Sequence, residues 1–80
     1  MKNLKLIRVM HDFTQLRVHI DTGISQSMLS KYENSDVIPT GENLLLLAKY
    51  YNTSVDFLLD LTDEIKPYPP KKAEYGKAPR

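Results

Sequence analysis

The chain has 80 residues, enough for one small domain, because single hydrophobic cores are usually built from about 50 to 200 residues, and a multidomain enzyme is excluded. It is 41% hydrophobic and 26% charged, with no Trp and a formal charge of +1, the composition of a globular chain. The absence of Cys excludes a disulfide framework, a thiolate zinc site and a cysteine nucleophile.

The near-neutral total hides three blocks. Residues 1–35 carry +2, residues 36–65 carry −5 and residues 66–80 carry +4. The longest apolar run, Leu44 to Ala48, is far shorter than the ~20 residues of a membrane span. The N-terminus also lacks the apolar core of a signal peptide, so a cytoplasmic location and no membrane partner are expected.

In chain order, Leu4, Ile7 and Met10 recur at three-residue spacing, which predicts a first helix ending near Asp12 with these three on one side. Leu16 to Ile20 alternates apolar and polar residues as a strand would. A lone strand has no partner among helices, however, and unpaired strands are not stable in water. Thr14 as N-cap and Gly23 as a left-handed stop instead predict a helix from Gln15 to Thr22. Ser25 caps a third helix running to about Asn34, with Leu29 and Tyr32 on one face. Thr40 caps a fourth, whose stripe of Leu44, Leu47, Ala48 and Tyr51 ends at Asn52. Ser54 caps a short fifth helix, with Val55, Leu58 and Leu59 inward. Residues 66–80 hold four of the five prolines and no apolar periodicity. They read as a disordered, Pro/Lys-rich C-terminal tail after a domain of residues 1–65, either a polyproline-tending terminus or a ligand for a proline-recognising partner.

Two short helices joined through Gly23-Ile24-Ser25 form a helix-turn-helix pattern. Ordered around it stand Leu4, Ile7-Arg8, Phe13-Thr14-Gln15, Gln26, Leu29-Ser30-Lys31-Tyr32-Glu33-Asn34, Pro39, Leu44, Leu47-Ala48, Ser54-Val55-Asp56 and Leu58-Leu59. Over residues of about 1–63, this set resembles the phage repressor/Cro-type (xenobiotic-response-element) helix-turn-helix family. The resemblance implies an all-α fold: a five-helix, lambda-repressor-like DNA-binding domain whose second motif helix enters the major groove. The chain holds no Gly-rich phosphate loop and no Ser/His/Asp arrangement, so no enzyme activity and no cofactor are expected.

At about 100° per residue, Gln26, Ser27, Ser30, Lys31 and Asn34 fall in one polar arc of the third helix, while Met28, Leu29 and Tyr32 fall on the other side. Amide, hydroxyl and ammonium groups are the chemistry that reads base edges, although every surface helix has a polar face. Thr14 and Ser25, at the helix starts, join the expected DNA-binding set. The resemblance gives Gln15 a contact to backbone phosphate and a brace on the recognition helix, the alternative being a plain first-turn residue. It makes Arg8 and Glu33 a structural ion pair between the first helix and the end of the recognition helix.

Several positions depart from the family. His19 stands where a small residue is usual, so it is expected to lean outward or force the helices apart. Thr22 replaces an apolar residue, Ser35 a Gly, and Asp36-Val37-Ile38 a basic loop. The basic tail is expected to supply phosphate attraction that this loop lacks. His11 and His19 have neither a Cys partner nor metal-ligand spacing, so no metal is expected. Asp56 and Asp60, one turn apart, read as solvated charges rather than a carboxylate pair, and no small-molecule site is evident.

Leu45, Leu46, Phe57 and Leu61 fall off the inward stripes. Phe57 and Leu61 are expected at a homodimer interface, whereas Leu45 fits a wider buried arc equally well. A two-fold dimer would set recognition helices about 34 Å apart for a palindromic operator. The expected function is a sequence-specific, double-stranded DNA-binding transcriptional regulator, a repressor. The alternative is a protein-interaction module on the same scaffold, an antitoxin or accessory factor.

Overall fold

The structure, a computed structural model, describes residues 1–69. Five helices follow one another: α1 (Lys2–Met10), α2 (Gln15–Thr22), α3 (Gln26–Glu33), α4 (Gly41–Tyr51) and α5 (Val55–Leu58), with no strand among the described residues. The alternating segment is therefore helical. Val18 points into the core while Leu16 and Ile20 face solvent, so the alternation does not mark one buried face.

Four helices start in the same way. The hydroxyls of Thr14, Ser25, Thr40 and Ser54 accept the backbone N–H groups of Arg17, Met28, Asn43 and Phe57 at 3.0–3.2 Å. Each satisfies a donor that has no partner within its helix.

The stops are also alike. Asp12, Ser35, Asn52 and Asp60 take left-handed backbone, with φ between 55° and 64°. After α1, Asp12 N–H reaches Val9 O and Phe13 N–H reaches Arg8 O. After α3, Ser35 N–H reaches Tyr32 O and Asp36 N–H reaches Lys31 O. After α4, Asn52 N–H reaches Lys49 O and Thr53 N–H reaches Ala48 O. After α5, Asp60 N–H reaches Phe57 O and Leu61 N–H reaches Asp56 O. This pairing closes the last carbonyls and reverses the chain within two residues. Gly is the usual residue for such a stop, yet only α2 uses one, Gly23.

The core joins Leu4 and Ile7 of α1, Val18 of α2, Leu29 and Tyr32 of α3, Leu47, Ala48 and Tyr51 of α4, and Phe57 and Leu58 of α5. Two expectations are corrected. Met10 is 57% exposed; His11, one turn beyond Ile7, takes the place beside the Tyr51 ring at 5.5 Å. Phe57, expected at a dimer interface, is 2% exposed and belongs to the core. The reason is that α5 packs against both α1 and α4, so a one-turn helix buries two sides instead of a single stripe. Leu61, beyond its end, is exposed.

Of the expected tail, residues 70–80 lie outside the described residues. At the end of the domain, Thr53 donates to Ile65 O at 2.6 Å and Ile65 packs on the core; in the described beginning of the tail, the Tyr68 hydroxyl donates to Asp56.

The two ends of the helical unit meet at α1. Met1, its N-cap residue, offers no side-chain cap bond. The Asp60 carboxylate accepts instead, from Asn3 N–H at 2.8 Å and Lys2 N–H at 3.0 Å. Asn3 returns the contact, its amide donating to Phe57 O at 2.9 Å and Thr62 O at 3.2 Å. Asp60 thus caps α1 across the chain, where its negative charge also complements the helix dipole. Asp60→Ala removes the cap and puts a less tolerant residue in left-handed backbone. It is expected to cost about 1–2 kcal/mol, read as a melting temperature lower by about 4–8 °C per kcal/mol; an unchanged melt would show that α1 needs no cap.

Candidate nucleic-acid interface

The unit that presents α3 is α2, its turn and α3. Gly23 sits at φ 81° and donates its N–H to His19 O at 2.8 Å. A Cβ there would meet nothing within 4 Å, so the demand for Gly is one of backbone conformation, not space. Thr22 bridges the turn, donating to Val18 O at 2.7 Å and accepting from Ile24 N–H at 3.2 Å. Its hydroxyl therefore has a local use that an apolar residue would not.

His19 neither leans away nor splits the helices. It is half-buried along the turn, with Nδ1 2.9 Å from Ile24 O. A carbonyl can only accept, so Nδ1 carries the proton in this contact. The expected steric conflict is avoided because the imidazole lies along the turn and becomes one of its ties.

On α3, Gln26, Ser27 and Lys31 are exposed and Ser30 is half-buried, and Asn34, the C-cap residue that follows, is exposed as well. Leu29 and Tyr32 are buried on the opposite side, with Met28 half-buried beside them. Five of the expected DNA-binding residues thus share one face. Ser25 and Thr14 are both exposed, but their oxygens already accept cap bonds, which leaves the hydroxyl protons to donate. Leu61 lies apart from this face, beyond α5.

Behind the face stands Glu33, the last residue of α3, with a side chain only 4% exposed. Arg8 grips it with two bonds, Nε to Oε2 at 2.7 Å and Nη2 to Oε1 at 3.1 Å. The remaining Arg8 nitrogen, Nη1, donates to Phe13 O at 2.8 Å. Gln15 adds a third donor to the carboxylate, its amide reaching Oε1 at 3.2 Å. The Arg8 guanidinium is raised above its ordinary pKa by the bond to Glu33, against the opposing cost of burial. α1, the α1–α2 loop, the start of α2 and the end of α3 therefore converge on one carboxylate.

A second brace holds α2 to α4. Asp21 Oδ2 accepts from Arg17 Nε at 2.8 Å and from the Tyr50 hydroxyl at 2.6 Å. The Arg17 guanidinium lies 4.8 Å from the centre of the Phe13 ring, which in turn packs against Tyr50. Asp21 is held below the usual carboxylate range, first by Tyr50 and then by Arg17. Burial, followed by the bond to Asp21, pushes the Tyr50 hydroxyl up to about 12. Arg17 and Asp21 were legible as an i,i+4 pair; nothing local in the sequence links Tyr50 to them. Asn43 likewise ties α4 to α3, donating to the Tyr32 hydroxyl at 2.9 Å.

No three His, Asp or Glu side chains among the described residues stand together as a metal site. No helix there is long and apolar enough to cross a membrane.

Arg8→Ala leaves the Glu33 carboxylate buried with only Gln15 to bond it. The expected loss is about 3 kcal/mol, because a surviving buried charge is left uncompensated; chemical denaturation measures it, and a loss under about 1 kcal/mol would place the pair among exposed ion pairs. Tyr50 has a folded pKa above its unfolded value of about 10, so its contribution is full below that pH and is lost as pH rises through about 12. Tyr50→Phe is expected to flatten the fall in melting temperature across this alkaline window. Identical alkaline profiles for the two proteins would rule out the Tyr50–Asp21 brace.

Residues 4–58 match the helix-turn-helix family. The chain is 33% identical over 66 residues to the "Uncharacterized HTH-type transcriptional regulator YobD" of Bacillus subtilis (strain 168), an alignment covering 82% of this chain and 59% of that protein. It is 38% identical over 53 residues to "Antitoxin PezA" of Streptococcus pneumoniae serotype 4 (strain ATCC BAA-334 / TIGR4), covering 66% of this chain and 34% of that protein. The chain thus spans less than two thirds of the length of either relative. No solved structure gives a significant match. With two capped helices meeting at a left-handed Gly23 and the family match running through all five helices, the chain belongs to the helix-turn-helix family.

Proposed function

We propose that this protein is a sequence-specific, double-stranded DNA-binding transcriptional regulator, a repressor that occupies a palindromic operator as a homodimer. The observation that carries this reading is the outer face of α3, where Gln26, Ser27, Lys31 and Asn34 are exposed around Ser30. Gln26 and Asn34 have the bidentate amide that matches adenine N6 and N7, Lys31 can donate to guanine O6 and N7, and the two serines can donate or accept. Thr14 and Gln15, at the start of α2, are assigned to backbone phosphate, where helix-terminal N–H groups also point. Membership of the family and the likeness to a protein named as a transcriptional regulator support this assignment.

A protein-contact module on the same scaffold is the second reading. It is favoured by the likeness to a protein named as an antitoxin and by the −5 charge of residues 36–65, which repels DNA.

Selection from random duplex DNA separates the two. The regulator reading expects an enriched palindromic motif and an affinity that falls with salt, by a slope of about −0.9 per neutralised phosphate. Gln26→Ala combined with Lys31→Ala is expected to erase preference for that motif, each lost base contact costing about 1–3 kcal/mol of discrimination. Enrichment of no motif would overturn DNA reading in favour of the protein-contact module.

A further inference from the structure

We infer that the solvent face of α4 is where a second copy of this chain docks, antiparallel, about a two-fold axis crossing the helix between Leu45 and Leu46. The inference rests on the homodimeric reading above and names its surface. At about 100° per residue, Glu42, Leu45, Leu46 and Lys49 fall within one arc about 100° wide. That arc is opposite the buried Leu47, Ala48 and Tyr51. Leu45 is 57% and Leu46 39% exposed, and Glu42 and Lys49 are exposed on either side of them. Neither charge is in an ion pair among the described residues.

The order of these four side chains is what selects the occupant. Glu42 precedes Leu45 by three residues and Lys49 follows Leu46 by three. A two-fold axis through the midpoint therefore sets Leu45 against Leu46 of the second copy. The same operation sets Glu42 against Lys49 of the second copy, and Lys49 against its Glu42. One helix face supplies both halves of an apolar centre and both halves of two ion pairs, as an isologous contact requires. A parallel arrangement in register would oppose Glu42 to Glu42 and Lys49 to Lys49, so the charges also fix the direction.

The exposed apolar groups of α1 and α2 lack this property. Leu6, Val9 and Met10 of α1 are flanked by Lys2 and Lys5, and a second copy would bring like charges to the same rim. Leu16 and Ile20 of α2 flank an Arg17–Asp21 pair already closed on itself.

The test is sedimentation of the full chain without DNA over a range of concentrations. The wild-type protein is expected to dimerise. Glu42→Lys and Lys49→Glu are each expected to raise the dimer dissociation constant about tenfold or more, because symmetry turns one reversal into two like-charge contacts. The double variant E42K/K49E re-forms both pairs with their signs exchanged and is expected to return to within about threefold of the wild type. Leu45→Gln, which leaves the core untouched, is expected to weaken association as well. Thermal melts establish that each variant is folded.

A wild-type chain that stays monomeric overturns the interface, as do single reversals without effect or a double variant that fails to recover. The DNA reading is judged separately, by duplex selection. A monomer that still enriches a motif overturns the homodimer together with its interface and leaves DNA reading in place, a dimer indifferent to the charge reversals overturns only the interface, and a dimer that obeys the charge exchange but enriches no motif overturns only the DNA reading.

Discussion

The placement of α3 depends on a carboxylate almost withdrawn from water. Glu33 closes the helix with a nearly buried side chain, and a lone charge in that position would be expelled or neutralised. Arg8 prevents this with a two-bond grip, and the grip has geometric consequences because the guanidinium is planar and its donors are fixed in direction. Once two nitrogens face Glu33, the third is aimed at Phe13 O, so the α1–α2 loop is held by the same group. Gln15 then ties the start of α2 to the Oε1 that Arg8 also uses. Four segments share one electrostatic centre, and the helix that would read DNA ends on it. Its position is set by a requirement to keep a charge paired, which tolerates little displacement.

The helices themselves are too short to stand alone. They run from four to eleven residues, and isolated helices below about 12–15 residues are marginal in water. What sustains them is termination chemistry as well as burial. Every helix has its N-terminal donors capped by a side chain, α1 through Asp60 from the far end of the unit and the other four through their own Ser or Thr. The stops after α1, α3, α4 and α5 all use non-Gly residues in left-handed backbone. Asp and Asn are the residues after Gly that best tolerate this region, and three of the four stops use them. Ser35, which follows α3, is the least suited of the set. The strain accepted there is offset by the closing bonds to Tyr32 O and Lys31 O.

This division explains which features the sequence disclosed. The caps and the polar arc of α3 were legible because each depends on residues within a few positions of one another. Thr14, Ser25, Thr40 and Ser54 act where a local reading puts them, and the family resemblance added the Arg8–Glu33 pair. At Phe57 and Asp60 the difference comes from contacts between distant segments. Phe57 looked outward because a one-sided helix was assumed, while α1 and α4 enclose α5 from two directions. Asp60 looked like a solvated charge because nothing near it needs a cap; the N–H groups it serves are at residues 2 and 3. His19 differs for a local reason: its volume alone argues for a clash, but the Ile24 carbonyl five residues on offers the imidazole a partner along the turn.

The same pairing logic sharpens the meaning of the charge distribution. Among residues 1–35 the two arginines are both committed, Arg8 to Glu33 and Arg17 to Asp21. The basic excess of that block is therefore carried by lysines, and of these only Lys31 lies on the exposed face of α3. A face with one ammonium among amides and hydroxyls gains little from counterion release at any sequence. For the proposed DNA reading, most of the binding at α3 must then come from directional hydrogen bonds to base edges, which a wrong base leaves unpaired. Weak general attraction combined with directional contacts favours discrimination over affinity. It also makes a second copy of the chain more consequential, since doubling the number of directional contacts is a route to tight binding that adds no indiscriminate charge.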